Sequence, residues 1–160
     1  FSTMKRRAAW TGGFAMHYSE AKIVLNRLEE YGYYKDLAEE ADRMALWTQV
    51  AIDNCGMPSS PKEKIAPTVS AGSSDSRMND LISEQMTYDE DAKYYRSRME
   101  SIELYIESFD EDVSKIMTDH YIKGRTYEDM EEFYMTSGGL IHKVGRAIMA
   151  SDYADAADII

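Results

Sequence analysis

The chain has 160 residues, with 29 acidic and 18 basic side chains and a formal net charge of −11. Its length supports one domain or two small ones. The acidic excess excludes a protein that coats nucleic acid with a uniformly basic surface, so any patch that contacts DNA has to be local. The single cysteine, Cys55, excludes an intrachain disulfide and a cysteine-rich zinc site, which is usual in a reducing cytosol.

The composition predicts an all-α fold. Helix-forming residues are plentiful, whereas the chain contains only 3 prolines and 9 glycines and almost no β-branched runs. No apolar run approaches the roughly 20 residues that cross a bilayer, and the first residues do not resemble a signal peptide. We therefore expect a soluble, cytoplasmic protein with no membrane partner.

Residues 1–15 are predicted to form a flexible basic arm. Lys5, Arg6 and Arg7 precede the glycine pair Gly12 and Gly13, and adjacent glycines give the backbone wide conformational freedom. The segment is either a frayed terminus or an arm that touches phosphate groups.

Two long helices are predicted within residues 16–109. The first has apolar residues every three or four positions, namely Val24, Leu28, Tyr31, Tyr34, Leu37, Ala41, Met44, Trp47 and Ala51. The second has a heptad seam formed by Leu81, Gln85, Tyr88, Ala92, Tyr95, Met99, Ile102, Ile106 and Phe109. Between them, residues 56–76 hold all three prolines and a Ser/Gly run, which predicts a disordered connector. The helices should form an antiparallel hairpin within one chain, a coiled coil between chains, or both.

Residues 110–150 have the layout of a helix-turn-helix. Gly124 should end a short helix, and Thr126 with Asp129 has the form of a capping box that starts the next helix. We expect this first helix of the motif over residues 127–134. Its inward side chains are predicted to be Met130 and Phe133.

The second helix of the motif is predicted over residues 138–150. Met135, Thr136 and Ser137 form the turn, and Ser137 is the residue expected to cap the helix. The predicted inward side chains are Leu140, Ile141, Val144 and Ile148. Residues 151–160 form a tail.

The segment YIKGRTYEDMEEFYMTSGGLIHKVGRAI, residues 121–148, is similar to the pattern Y-x-x-G-x-[TS]-[YW]-E-E-I-A of the region-4-like domains of sigma factors. It resembles more closely the ArpU/RinA-like phage-encoded transcriptional regulators of Gram-positive bacteria. The long helix, the connector and the second helix also have counterparts in that group, so the resemblance covers about residues 16–150. It implies a sequence-specific DNA-binding regulator of phage late genes, acting as a dimer in the bacterial cytoplasm, with the coil as the dimerisation element.

The resemblance also implies which residues contact double-stranded DNA. Thr126 and Tyr127 would touch the phosphate backbone. The outer face of the second helix, against the major groove, would present Ser137, Gly138, Gly139, His142, Lys143 and Arg146. Lys123 and Arg125 join Lys143 and Arg146 in the local basic group that the net charge requires.

Two features depart from the family pattern. Met130 and Glu131 stand where the pattern has Ile and Ala, so a charge occupies a position that is usually small and apolar. Gly138 and Gly139 begin the recognition helix and offer no side chain to a base. Direct base readout then depends on His142, Lys143 and Arg146, which helical geometry places within one turn of each other.

Other functions remain open at this stage. A phage protein could bind RNA polymerase, a repressor or a host defence factor through a degenerate helix-turn-helix or through the acidic coil. A small-terminase-like packaging subunit also combines a helix-turn-helix with an oligomerising helical pair. The sequence contains no nucleophile–base pair, phosphate loop or metal-ligand spacing, and His17, His120 and His142 join no motif. We expect no enzymatic activity, no metal and no cofactor.

Overall fold

The computed structural model describes residues 15–55 and 67–160, with side chains described for residues 15–55 and 75–160. These ranges are helical apart from short turns and contain no strand, which confirms the all-α fold class. The predicted basic arm, except for Ala15, lies outside the described residues, and so do residues 56–66 of the predicted connector. Among the described helices, none combines the length and the apolar character that a membrane span requires.

The helices follow one another along the chain with short breaks. The elements are α1 (Tyr18–Glu29), α2 (Tyr31–Cys55), α3 (Pro67–Glu107), α4 (Glu111–Met117), a π-helical turn (Thr118–Ile122), α5 (Tyr127–Met130), α6 (Ser137–Ala150) and a 3-10 turn (Tyr153–Ala156). The single long helix predicted before the connector is therefore interrupted, at Glu30. The described residues form two compact units, one of residues 15–35 with 97–160 and the other of residues 36–55 with 67–96.

The predicted connector is shorter than expected, because α3 begins at Pro67. Residues 67–76 are helical and not part of a loop. Proline fits the first position of a helix, since its missing N–H would have no partner there and its fixed φ angle is already helical. We predicted that Pro67 lies in a connector between two helices, whereas it is the first residue of α3.

The unit formed by residues 15–35 and 97–160 has one apolar core. Its fully buried side chains come from α1, α3, α4, α5 and α6, and include Leu28, Ile102, Ile106, Ile116, Met117, Met130, Leu140 and Ile148. Tyr31 donates a hydrogen bond to Glu103 at 2.5 Å, and the Arg98 guanidinium lies 5.7 Å from the centre of the Tyr34 ring. Tyr34 follows Tyr31 along α2, whereas its partner Arg98 precedes Glu103 along α3. The two helices therefore run antiparallel within this unit.

The last ten residues pack against this core. Ala156 and Ile159 are buried, and Arg98 donates hydrogen bonds to the carbonyl oxygens of Asp158 at 3.0 Å and Ile159 at 2.8 Å. The Met16 N–H donates to the Met149 carbonyl at 3.1 Å, which brings the start of α1 to the end of α6. Residues 151–160, expected as a tail, are thus part of the folded unit.

The unit Asp36–Arg96 contains an antiparallel pair formed by parts of α2 and α3. Arg96 forms an ion pair with Asp42, and the Gln85 side-chain amide donates to the Gln49 carbonyl oxygen at 2.6 Å. Every predicted seam residue is buried or half-buried, although the last one, Phe109, lies beyond the end of α3 at Glu107. The antiparallel pairing is therefore closed within one chain in each unit, and Gln85, the polar member of the seam, has Gln49 as its partner.

The inward face of α2 differs from the prediction at one end. Trp47 was expected to face inward but is 65% exposed, whereas Thr48 is buried and donates a hydrogen bond to the Met44 carbonyl at 2.7 Å. The buried line of α2 passes through the small residues Ala38, Ala41 and Ala45. The predicted Ala41 is buried, but apolar periodicity gives most weight to large side chains, so it missed Ala38 and Ala45, which also allow the two helices to approach closely.

Candidate nucleic-acid interface

The loop that leads into α5 is formed by a helix end, a left-handed glycine and a threonine cap. The π-helical turn ends before Gly124, which has a φ angle of 74°, a conformation that glycine adopts without strain. Thr126 Oγ1 then accepts a hydrogen bond from the Asp129 N–H at 3.2 Å and caps α5. The threonine half of the predicted capping box is present. The reciprocal bond, from the Thr126 N–H to the Asp129 carboxylate, is absent from the hydrogen bonds of the described residues.

Asp119 fastens this loop to the turn that follows α5. Its buried carboxylate accepts a hydrogen bond from the Tyr134 hydroxyl at 2.5 Å and lies 3.4 Å from Lys123 Nζ, and its carbonyl accepts from the Arg125 N–H at 3.0 Å. Burial alone would raise the pKa of Asp119, but the hydrogen bonds from Tyr134 and Lys123 and the charges of Lys123 and Arg125 outweigh it and hold the pKa below its usual value. Loss of water raises the pKa of Tyr134 to about 12, and its bond to Asp119 acts in the same direction.

Tyr127 is directed toward the interior of the loop. Its ring stacks on His120, with centroids 3.8 Å apart. His120 in turn donates from Nδ1 to the Arg125 carbonyl at 2.7 Å. Burial raises the pKa of Tyr127. Of the two residues expected to touch phosphate, Thr126 is exposed while Tyr127 is half-buried and supports the backbone that carries Arg125.

The first helix of the motif is shorter than predicted. It ends at Met130, and the chain then turns, with the N–H groups of Phe133 and Tyr134 both bonded to the Met130 carbonyl at 3.0 and 3.1 Å. Met130 is buried as expected, but Phe133 is 66% exposed, because the helix stops before it could return to the inner face. Glu131, the charge that departs from the family pattern, is exposed and does not enter the core.

The cap of α6 is Thr136 and not Ser137. Thr136 Oγ1 accepts a hydrogen bond from the Gly139 N–H at 3.2 Å. A Cβ atom on Gly139 would lie 3.1 Å from both Met135 Sδ and Thr136 Oγ1, whereas a Cβ atom on Gly138 would meet nothing within 4 Å. The two glycines therefore have different roles, since Gly139 fits closely under the cap and Gly138 leaves an open surface.

The inner and outer faces of α6 are well separated. Leu140, Val144 and Ile148 are buried, as predicted. Ile141 was expected to face inward but is 54% exposed, since it lies about 100° around the helix from Leu140, beyond the buried stripe. The exposed face consists of Gly138, Ile141, His142 and Arg146, with Lys143 half-exposed beside them.

This part of the chain is locally basic. Residues 133–151 contain no Asp or Glu, although the whole chain carries a net charge of −11. Within the described residues, Arg125, Lys143 and Arg146 form no salt bridge, whereas Lys123 is paired with Asp119. The exposed acids of the motif belong to α5 and the turn after it, namely Glu128, Asp129, Glu131 and Glu132, whereas Asp119 is buried and paired with Lys123. The outer face of α6 thus has unpaired cations and no acids of its own.

The predicted site residues fall into three groups. Gly138, His142 and Arg146 share the exposed face of α6, with Lys143 at its edge, while Ser137 and Gly139 are half-buried in the first turn. Lys123, Arg125 and Thr126 are exposed on the loop before α5, and Tyr127 lies beneath it. The sequence missed Ile141 on the outer face and the Asp119–Tyr134 pair. The only sequence signal for an exposed Ile141 is its position outside the stripe formed by Leu140, Val144 and Ile148.

In the described ranges, no group of three or more His, Cys, Asp or Glu side chains could hold a metal ion. No family model, curated protein or solved structure matches this chain.

Proposed function

We propose that this protein is a sequence-specific DNA-binding transcriptional regulator, with α6 as the helix that enters the major groove and phage late genes as its targets. The observation that carries the proposal is the outer face of α6, which is exposed, free of acids and equipped with His142, Lys143 and Arg146 in a strongly acidic chain. The sigma-region-4-like pattern of residues 121–148 supports the same function and supplies the expectation of late-gene control.

The chemistry of this face suits a base-reading helix. Arg146 can donate two hydrogen bonds to a guanine edge, and His142 lies one turn before it. Ile141 adds an apolar contact of the kind that distinguishes a thymine methyl group. Gly138 has no side chain, so the first turn of α6 can approach a phosphate closely and present its free N–H groups.

The loop before α5 would supply contacts with the DNA backbone. Arg125 is exposed, and its guanidinium lies 6.0 Å from the centre of the exposed Phe133 ring, which restricts its side chain. Lys123 should bind phosphate more weakly, because its ion pair with Asp119 offsets its positive charge. With Arg125, Lys143 and Arg146 as the main cations, each chain should neutralise roughly three phosphates, corresponding to a slope of log K against log salt of about −3 per chain.

A DNA-binding titration with charge-matched variants tests the proposal. Fluorescence anisotropy would measure the affinity of the full chain for double-stranded DNA from its own genomic neighbourhood, against unrelated competitor DNA. Lys143→Ala/Arg146→Ala should weaken binding by at least about tenfold and reduce the salt slope by about 2. Lys22→Ala/Lys115→Ala removes the same charge from exposed positions on α1 and α4 and should leave binding unchanged. Absence of specific binding by the wild type at low salt would rule out the proposal.

One observation favours a second candidate, a protein-binding role for the turn between α5 and α6. Phe133 is 66% exposed and Met135 is 39% exposed, next to the exposed acids Glu131 and Glu132. Exposed apolar side chains ringed by charge are common where proteins bind one another. On this alternative the partner is RNA polymerase or another protein, and Phe133→Ser would abolish the activity of the protein in transcription while lowering DNA affinity only as far as the loss of the ring frees the Arg125 side chain.

A further inference from the structure

The unit Asp36–Arg96 carries an exposed apolar patch on its two-helix surface. Its members are Leu46 and Val50 on α2, with 63% and 50% of their surface exposed, and Ile82 and Met86 on α3, with 41% and 58% exposed. Each pair is spaced four residues apart, so each forms a continuous ridge on its helix. Large exposed apolar side chains are costly in water unless another surface covers them.

The two ridges lie on the same side of the helix pair. Two antiparallel helices lie in one plane and are related by an approximate two-fold axis normal to that plane. Rotation about this axis exchanges the helices, but a side chain in front of the plane stays in front of it. Residues that directly follow a facing residue in each helix therefore emerge on one face. The ion pair of Asp42 with Arg96 follows this rule, because these residues come directly after the inward-facing Ala41 and Tyr95.

The same rule applies around the Gln49–Gln85 hydrogen bond. Val50 follows Gln49, and Met86 follows Gln85, so both lie on the face that carries the Asp42–Arg96 pair. Leu46 and Ile82 lie one turn before them on their own helices. The four side chains thus form one patch with approximate two-fold symmetry about the glutamine pair.

We propose that this patch, Leu46, Val50, Ile82 and Met86, is the surface on which a second copy of the chain docks. Two patches placed face to face would build an eight-side-chain apolar layer between four helices, which is the core arrangement of a four-helix bundle. An approximately symmetric patch suits this occupant, because a two-fold dimer joins the same surface of both copies and requires it to be self-complementary.

The exposed area of the four side chains is large enough to form the centre of an interface with a second copy of the chain. Four side chains that are about half exposed present roughly 400 Å² of mostly apolar surface, toward the middle of the range for a single patch on a monomer. Two such patches amount to roughly 800 Å², about half of a standard interface of roughly 1,600 Å². The remainder would be a polar rim, for which Asp42, Asp89, Lys93 and Arg96 are available on the same face.

The dimer surface is independent of the proposed DNA contact, since the patch and α6 belong to different units. If both proposals hold, each dimer carries two copies of α6. A failure of dimerisation would leave the DNA affinity of one α6 face measurable, and a failure of DNA binding would leave the dimer intact.

Sedimentation equilibrium of the full chain without DNA tests the patch. The wild type should be a dimer, and Leu46→Glu/Met86→Glu should weaken self-association by at least about tenfold. Thr87→Glu/Tyr94→Glu is the matched control, because these side chains are exposed on α3 but precede, rather than follow, the inward-facing Tyr88 and Tyr95. The control should remain a dimer.

Helix content by circular dichroism should be the same in all three proteins, because each changed side chain is exposed in the single chain. A wild type that stays monomeric at every concentration would overturn the proposal. Equal loss of self-association in the patch variant and the control would also overturn it, because the copies would then meet through a different face.

Discussion

Gly138 and Gly139 should respond oppositely to the same substitution, although they are neighbours in the first turn of α6. Glycine costs up to about 1 kcal/mol relative to alanine within a helix, because its backbone loses more freedom on folding. A Cβ atom on Gly138 meets nothing within 4 Å, so Gly138→Ala should stabilise the protein by about 0.5–1 kcal/mol.

At Gly139 the same gain is offset by the fit of the turn. The added Cβ would lie 3.1 Å from Met135 Sδ and 3.1 Å from Thr136 Oγ1. The methionine can move, but the threonine oxygen cannot retreat without weakening the 3.2 Å hydrogen bond that caps α6. Because a threonine cap contributes about 1 kcal/mol, Gly139→Ala should be neutral or destabilising.

Urea unfolding followed by circular dichroism would compare the two variants with the wild type. For a chain of this size, 1 kcal/mol corresponds to a shift in Tm of roughly 2–4 °C, so the difference is also measurable by thermal unfolding. Equal stabilisation by both substitutions would show that the Thr136 cap and the tight turn are not formed as described.

Three further predictions concern the support of the candidate interface. Thr136→Ala should destabilise the chain by about 1 kcal/mol in urea unfolding, and Ser137→Ala should cost less, because Thr136 provides the cap. Ile159→Ala should cost about 2–5 kcal/mol because Ile159 is buried, while Ile160→Ala, at an exposed position, should stay within about 0.5 kcal/mol; similar small effects would contradict a packed C-terminus. Asp119→Asn should cost about 1–3 kcal/mol at neutral pH. The folded-state pKa of Asp119 is lowered, so its contribution to stability is complete above the unfolded pKa of about 3.9 and is lost as the pH falls through the folded pKa. The wild type and the variant should therefore converge in stability in acid. A stability difference that does not depend on pH would contradict the hydrogen bonds and the ion pair assigned to Asp119.

Periodic patterns predicted the main helices well. The heptad spacing of α3 placed every seam residue on a buried or half-buried face, and the spacing of Leu140, Val144 and Ile148 placed the inner face of α6. Such patterns succeed because a helix has to bury one continuous stripe. The prediction that Gly124 ends a helix was also correct, because a helix end with a positive φ angle favours glycine.

The same patterns failed where tertiary contacts decide. Phe133 and Ile141 are as apolar as their buried neighbours, and only the early end of α5 and the width of the buried stripe leave them exposed. The bond between Asp119 and Tyr134 joins residues that no periodic pattern connects. Ile159 follows a segment too short to show a period, so its burial depends on contacts such as the bonds from Arg98 to the last carbonyl groups.

Affinity cleavage from the first turn of α6 tests most directly whether this helix enters DNA. Gly138→Cys in a Cys55→Ser background gives the chain a single thiol at an open position, to which an iron chelate can be attached. Lys22→Cys in the same background places the chelate on an exposed position of α1, outside the proposed interface but in the same unit. If α6 lies in the major groove, the chelate at residue 138 will cut both strands at a few base pairs inside the bound site, and the chelate at residue 22 will not cut there. Bound DNA that is left uncut from residue 138, or cut equally from both positions, would contradict the proposed role of α6.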